Sequence, residues 1–204
     1  MAVPQMVLRI GAANEPGPPL NLSAWQYVSD DESWVATIAP DFFSVETKSY
    51  ESWSGLRSRL DQLVAAVAGV LSPALVRRVG LRYVDELRIP GVTTPAGWVG
   101  RIAPAFLGAA GDTEIGPSVA GTQQAVEIQG PGGSKVVLRH GSVRTTDGQP
   151  AYLLDHDCFI DDSRSFDAEE LAGNFDNLHR LALGVFQRAV TDDFYRQLKE
   201  GTLA

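Results

Sequence analysis

Asp155 and Asp157 stand two residues apart on a stretch that alternates as a strand, which sends both side chains to one sheet face about 6–7 Å apart. Carboxylates so placed can bind a divalent cation or divide acid and base roles. Arg82 and Arg139 lie on stretches able to reach the same face, and cross-strand ion pairs are a routine stabiliser. A structural charge ladder is therefore the first reading of the acidic pair, and a site the second. Further arginines sit close by: Arg77, Arg78 and Arg88 on the stretch carrying Arg82, and Arg144 beside Arg139. Guanidinium forks recognise phosphates and carboxylates through two parallel hydrogen bonds. Where Asp155, Asp157 and Glu86 leave them unneutralised, Arg78, Arg82 and Arg139 make a floor for an anionic ligand.

His140, His156 and His179 lack metal-ligand spacing, and neither an HExxH nor a CxxC motif occurs, so no metal or cofactor is expected. His156 and Cys158 alternate in phase with Tyr152 and Leu154, the buried side, so His156 reads as a core histidine. A Cys-His nucleophile pair needs a thiolate-stabilising setting. No catalytic residue is assigned. Gly130-Pro-Gly-Gly133 joins two strands and opens no helix, so it is a turn and not a phosphate loop. Trp98 and Phe106 fall in a long connection, where apolar side chains either meet a partner or dock back on the domain's own sheet.

The chain that positions these residues has 204 of them, 44% apolar and 21% charged, enough for one full core. Its 17 basic and 25 acidic residues give a formal charge of −8, which disfavours binding to phosphate backbones. The single cysteine excludes an internal disulfide. The stretch from Met1 to Gly11 lacks a basic region followed by an apolar run, and nothing approaches the ~20 apolar residues of a membrane span. A cytoplasmic, bacterial type of protein is expected.

Strand patterns occur at Met6–Ile10, Ala24–Val28, Trp34–Ile38 and on to Thr47, with an irregular Pro-Gly stretch at Asn14–Pro19 and a hairpin at Ser29–Ser33. Trp53, Leu56, Leu60, Leu63, Val64, Val67, Val70 and Leu71 recur at three- and four-residue steps, predicting a helix capped by Ser52 and stopped at Pro73. A strand over Leu75–Ile89 turns Val79, Leu81, Tyr83, Leu87 and Ile89 one way and the arginines the other, with Asp85 breaking the apolar set. The connection Pro90–Pro117 carries a short helix near Pro104–Gly108. Strands at Val119–Gln129, Lys135–Arg144 and Ala151–Ile160 form a meander. A last helix starts at Asp167 with Glu170 as capping-box partner, its stripe being Leu171, Phe175, Leu178, Ala182, Val185 and Ala189. Thr191–Asp193 either caps a final turn or is run through.

The segment Arg78-Val-Gly-Leu-Arg-Tyr83 resembles the Arg-x-Gly-Leu-Arg-Tyr strand of a sporadically distributed bacterial and archaeal protein family without established activity. Tyr50-Glu-Ser-Trp53, Tyr152-Leu-Leu-Asp-His-Asp157, Leu178-His179 and Val185-Phe186 agree with the same pattern, over roughly Trp25 to Leu198. Asp85 stands where that family usually has Asn, and His156 where it usually has an apolar residue. The resemblance implies a shared fold and no chemistry.

The expected architecture is a single α+β domain over 1–204, a curved, mainly antiparallel sheet of six to seven strands against two long amphipathic helices. Segment 1–23 is irregular, and a division into two domains would fall at 90–117. The leading functional reading is a non-enzymatic binding or protein-interaction module, with Trp98 and Phe106 facing a protein partner. One alternative is an enzyme or sensor for an anionic small molecule, held by Arg78, Arg82, Arg139, Asp155 and Asp157. Another is an apolar-ligand pocket of several hundred Å³ between the sheet and the last helix. An amino-terminal strand left at a sheet edge would invite a second copy.

Overall fold

The computed structural model describes residues 2–9, as backbone, and 24–202. In chain order the strands are β1 (Ala2–Arg9), β2 (Trp25–Val28), β3 (Trp34–Ile38), β4 (Phe42–Thr47), β5 (Leu75–Val76), β6 (Val79–Leu87), β7 (Gln124–Gln129), β8 (Ser134–Arg144), β9 (Pro150–Ile160) and β10 (Arg164–Ser165). The helices are α1 (Trp53–Leu71), α2 (Pro104–Leu107), α3 (Ala168–Ala189) and α4 (Asp192–Glu200). The class is α+β with antiparallel sheets. Among the described residues, eight strands form one sheet in the order β2-β3-β4-β1-β6-β9-β8-β7, and β5 with β10 forms a separate ribbon.

That order departs from expectation in two ways. The sheet is wider than six to seven strands, and β1 lies inside it, pairing with β4 on one side and β6 on the other. β1 pairs with β4 through Gln5–Arg9 and with β6 through Ala2–Gln5, which makes it an interior strand and not the edge strand a second copy would need. The order also exposes an internal duplication. Each half runs from one strand through a connection to a three-strand meander, whose last strand returns beside the first, and then to a long helix. β1–β4 with α1 is one half and β6–β9 with α3 the other, joined by the antiparallel β1–β6 pair.

Both long helices begin where local chemistry tells them to. The Ser52 hydroxyl accepts from the Gly55 N–H, and the Asp167 carboxylate accepts from the Glu170 N–H. The Glu170 side chain does not complete the capping box: it pairs with Arg164 at 2.9 Å. In α1, Leu56, Leu60, Val64 and Val67 are buried, but Val70 is 81% exposed and Leu71 58%. The apolar period thus runs one turn beyond the surface that covers it. In α3 the whole expected stripe is buried, and Thr191 starts α4 as a separate helix by accepting from the Phe194 N–H.

The expected strand Leu75–Ile89 breaks at Arg77–Arg78, because β5 leaves the main sheet to pair with β10. The strand expected from Val119 begins only at Gln124: residues 116–118 form a 3-10 turn, and the chain then crosses β8 with Thr122 N–H on the Ser142 carbonyl. Gly141 permits that crossing, since a Cβ there would lie 1.9 Å from the Thr122 oxygen. The irregular stretch at 14–19 and Ile10 lie outside the described residues.

The connection between β6 and β7 docks on the helix-bearing face. Trp98, Ile102, Leu107 and Ala110 are buried in it, Trp98 packs edge-on against Tyr152 at 5.5 Å, and Ile102 bridges to Val190. Trp98 therefore takes the docked alternative and is not a surface for a partner. Phe106 is half-buried against His140, and its carbonyl accepts from the Tyr152 hydroxyl at 2.9 Å. A single cluster of buried apolar residues runs from Phe43 through Trp98 to Phe194. No helix among the described residues is long and apolar enough to cross a membrane.

Candidate functional site

The face turned away from α1 and α3 carries the residues singled out by their chemistry, and it pairs them off. Arg82 grips Asp155 with both prongs, Nε to Oδ1 at 2.7 Å and Nη2 to Oδ2 at 2.9 Å. Arg139 adds a longer contact to the same carboxylate at 3.6 Å. Arg78 donates to Asp157 at 2.8 Å while its guanidinium lies 3.7 Å over the Phe159 ring. Arg88 pairs with Glu86 and, at 2.9 Å, with Asp147, and Arg144 donates to the Gly148 carbonyl. The Asp155 carboxylate holds the Arg82 guanidinium pKa above its ordinary value. The register explains the ladder: Arg139 faces Asp155 directly, and Arg82 faces Asp157 but reaches diagonally to Asp155. Charges matched in this way hold strands together and leave neither carboxylate to act as a base.

A groove of about 330 Å³ borders this ladder between β7, β8 and β9, lined by Gln123, Arg139, Leu153 and Asp155 among others. Its carboxylate is already bound by Arg82, and Arg139 is half-exposed. Cys158 is fully buried, and burial pushes its thiol up to about 12, so it supplies no thiolate. His140 is bonded through Nδ1 to the Tyr152 hydroxyl at 3.0 Å. Among the described residues no group of His, Cys, Asp and Glu comes together in a way that could hold a metal ion.

The opposite face holds a cluster that sequence reading left dispersed. Tyr83 and Asp85 from β6, His156 from β9, Tyr50 from the segment before α1, and His179, Ala182, Leu183 and Phe186 from α3 line an open cavity of about 150 Å³. Both halves of the duplication contribute. The Asp85 Oδ2 lies 3.0 Å from His156 Nε2, close in distance but not aligned as a linear hydrogen bond. His156 is 2% exposed, and its Nδ1 has no hydrogen-bond partner among the described residues. The Tyr83 hydroxyl shares a 2.9 Å hydrogen bond with His179 Nδ1 and another with Tyr50. The Tyr50 and Tyr83 rings meet edge to face at 79°, with centroids 5.5 Å apart. Trp53 stacks flat on His179 at 4.3 Å and donates its indole N–H to Asp176, fixing α1 against α3.

Burial sets the charge state of this cluster. It raises Asp85 to about 6, and it lowers His156 to about 4. It also lowers His179 and raises both phenols. At neutral pH Asp85 is therefore the ionised group, among neutral imidazoles and phenols. No Lys or Arg side chain pairs with it among the described residues, in contrast to Asp155 and Asp157. The sequence did hold a signal: Asp85 interrupts an inward-facing apolar set, and His156 occupies an inward position on a second strand. What joined them was the β6–β9 register, which opposes Tyr83 to His156 and Asp85 to Leu154. The cavity's volume is below the several hundred Å³ that the apolar-ligand reading calls for.

No protein-family model matches the chain, and neither a curated protein nor a solved structure matches it either.

Proposed function

We propose that this protein is a cytoplasmic binding module that recognises a small molecule in the cavity between β6, β9 and α3. The observation that carries the reading is the pocket lined by the partly buried Asp85 and the buried His156, 3.0 Å apart, with neither imidazole nitrogen hydrogen-bonded among the described residues. Buried polar groups are ordinarily satisfied, and an exception beside a pocket favours a site over a purely structural role. Perturbed carboxyl and imidazole groups gathered in one concavity point the same way. The enzyme reading based on Asp155 and Asp157 loses its support because each is held by a guanidinium. Sheet and helix supply a rigid frame, suited to recognition.

A thermal-shift screen with amines, alcohols, carboxylates and small aromatics tests the proposal. A ligand at 100 times its dissociation constant stabilises the fold by about 2.7 kcal/mol. Ala182→Leu, which fills the cavity, is expected to abolish a hit, and Arg139→Ala to leave it unchanged. A hit lost in Arg139→Ala and retained in Ala182→Leu would move the site to the outer groove.

A further inference from the structure

We propose that the cavity takes a small protonated amine, seated on Asp85 and His156 between the rings of Tyr50, Tyr83 and Phe186; this rests on the cavity being the ligand site. The sign of charge is the first argument. Asp85 has no side-chain cation, whereas Asp155, its near neighbour across the strands, has two. No other group around the cavity is cationic at neutral pH, since burial holds both imidazoles neutral.

Shape is the second argument. The perpendicular rings of Tyr50 and Tyr83 make two adjoining walls, and Phe186 closes a third side from α3. Aromatic faces attract cations within about 6 Å of the ring centre, most strongly where water is excluded. A cavity of about 150 Å³ holds a ligand of about six heavy atoms.

Hydrogen bonding is the third. A neutral His156 keeps one ring nitrogen as an acceptor, and neither ring nitrogen has a hydrogen-bond partner among the described residues. An ammonium has three N–H groups, so one can donate to the Asp85 carboxylate while the others reach further acceptors, which a quaternary ammonium or an anion cannot do.

The test is an NMR titration at pH 7.5 and constant ionic strength, following the ring signals of His156, His179 and Tyr83. Two probes of one shape are compared, tert-butylammonium chloride and tert-butanol. The expected result is saturable shifts with the ammonium, at least roughly tenfold weaker binding of the alcohol, and loss of that preference in Asp85→Asn. Ala182→Leu should abolish binding of both probes. Equal affinity for the two probes would overturn the cation inference and leave the cavity as the ligand site. Silence with both would remove the cavity reading as well.

Discussion

Asp155 and Asp85 belong to adjacent strands of one sheet, and Val84, the neighbour of Asp85, lies directly opposite Asp155. The sheet's alternation sends their carboxylates to opposite faces and to opposite fates. Asp155 is gripped by Arg82 and approached by Arg139, so its charge is matched and its burial is compensated. Asp85 is nearly as buried but meets an imidazole that burial keeps neutral, so its charge costs stability at neutral pH. Matched charge is how a sheet stabilises itself. Unmatched buried charge persists where a site needs it, because selection for function tolerates a local loss of stability.

The largest effect that sharpens this contrast lies in the pH dependence of unfolding. His156, lowered from 6.5 to about 4, binds its proton more readily in the unfolded chain, so its contribution to stability rises with pH between those values. Asp85, raised from 3.8 to about 6, binds its proton more readily in the folded chain, so its contribution falls with pH across nearly the same window. The two slopes oppose each other, with Tyr83, Tyr50 and the neutral His179 as their surroundings. Urea unfolding of Asp85→Asn should therefore show stability rising by about 3 kcal/mol from pH 4 to 6.5, at about 1.4 kcal/mol per pH unit, against a flatter native profile. Parallel profiles would dissolve the pair.

Next in size is Arg82→Ala. It strands the buried Asp155 carboxylate with only the distant Arg139, and a loss of about 2 kcal/mol is expected, since Arg82 is itself partly exposed. A double-mutant cycle with Asp155→Asn should return most of that loss as coupling. Trp53→Phe removes the hydrogen bond to Asp176 and thins the stack on His179, for a cost of about 1 kcal/mol in chemical denaturation. Smallest is Asp157→Asn, where the pair with Arg78 is partly solvated and about 0.5 kcal/mol is at stake. A loss there as large as at Arg82 would mean that the outer face is more desolvated than its geometry implies.

How far the sequence spoke depended on the range of the interaction. Ser52, Asp167 and Thr191 announced their helices because a cap is a bond across three residues. The alternation at Val79–Leu87 revealed which way each side chain turns, since that follows from the pleat alone. The pairing of Arg82 and Arg139 with Asp155 was accessible once a shared face was supposed. The place of β1 between β4 and β6 was not, because nothing local in a short apolar strand names its neighbours. The duplication stayed hidden for the same reason, as it is read from the strand order. Trp98 sat in a connection with no period to read, so only packing could place it. Asp85 and His156 were each legible as oddities on inward positions, and their meeting needed a register that sequence spacing does not encode.

The most direct test of the division between the two faces is to unfold Asp85→Asn and Asp155→Asn in urea at pH 7.5, beside the native protein. Asp85→Asn removes a partly buried charge that no side chain among the described residues matches and should gain about 2 kcal/mol, while Asp155→Asn breaks a matched pair and should lose about as much. Opposite signs are the predicted result. A loss in both variants would contradict the account, for it would make Asp85 another structural partner and leave the cavity without its unmatched charge.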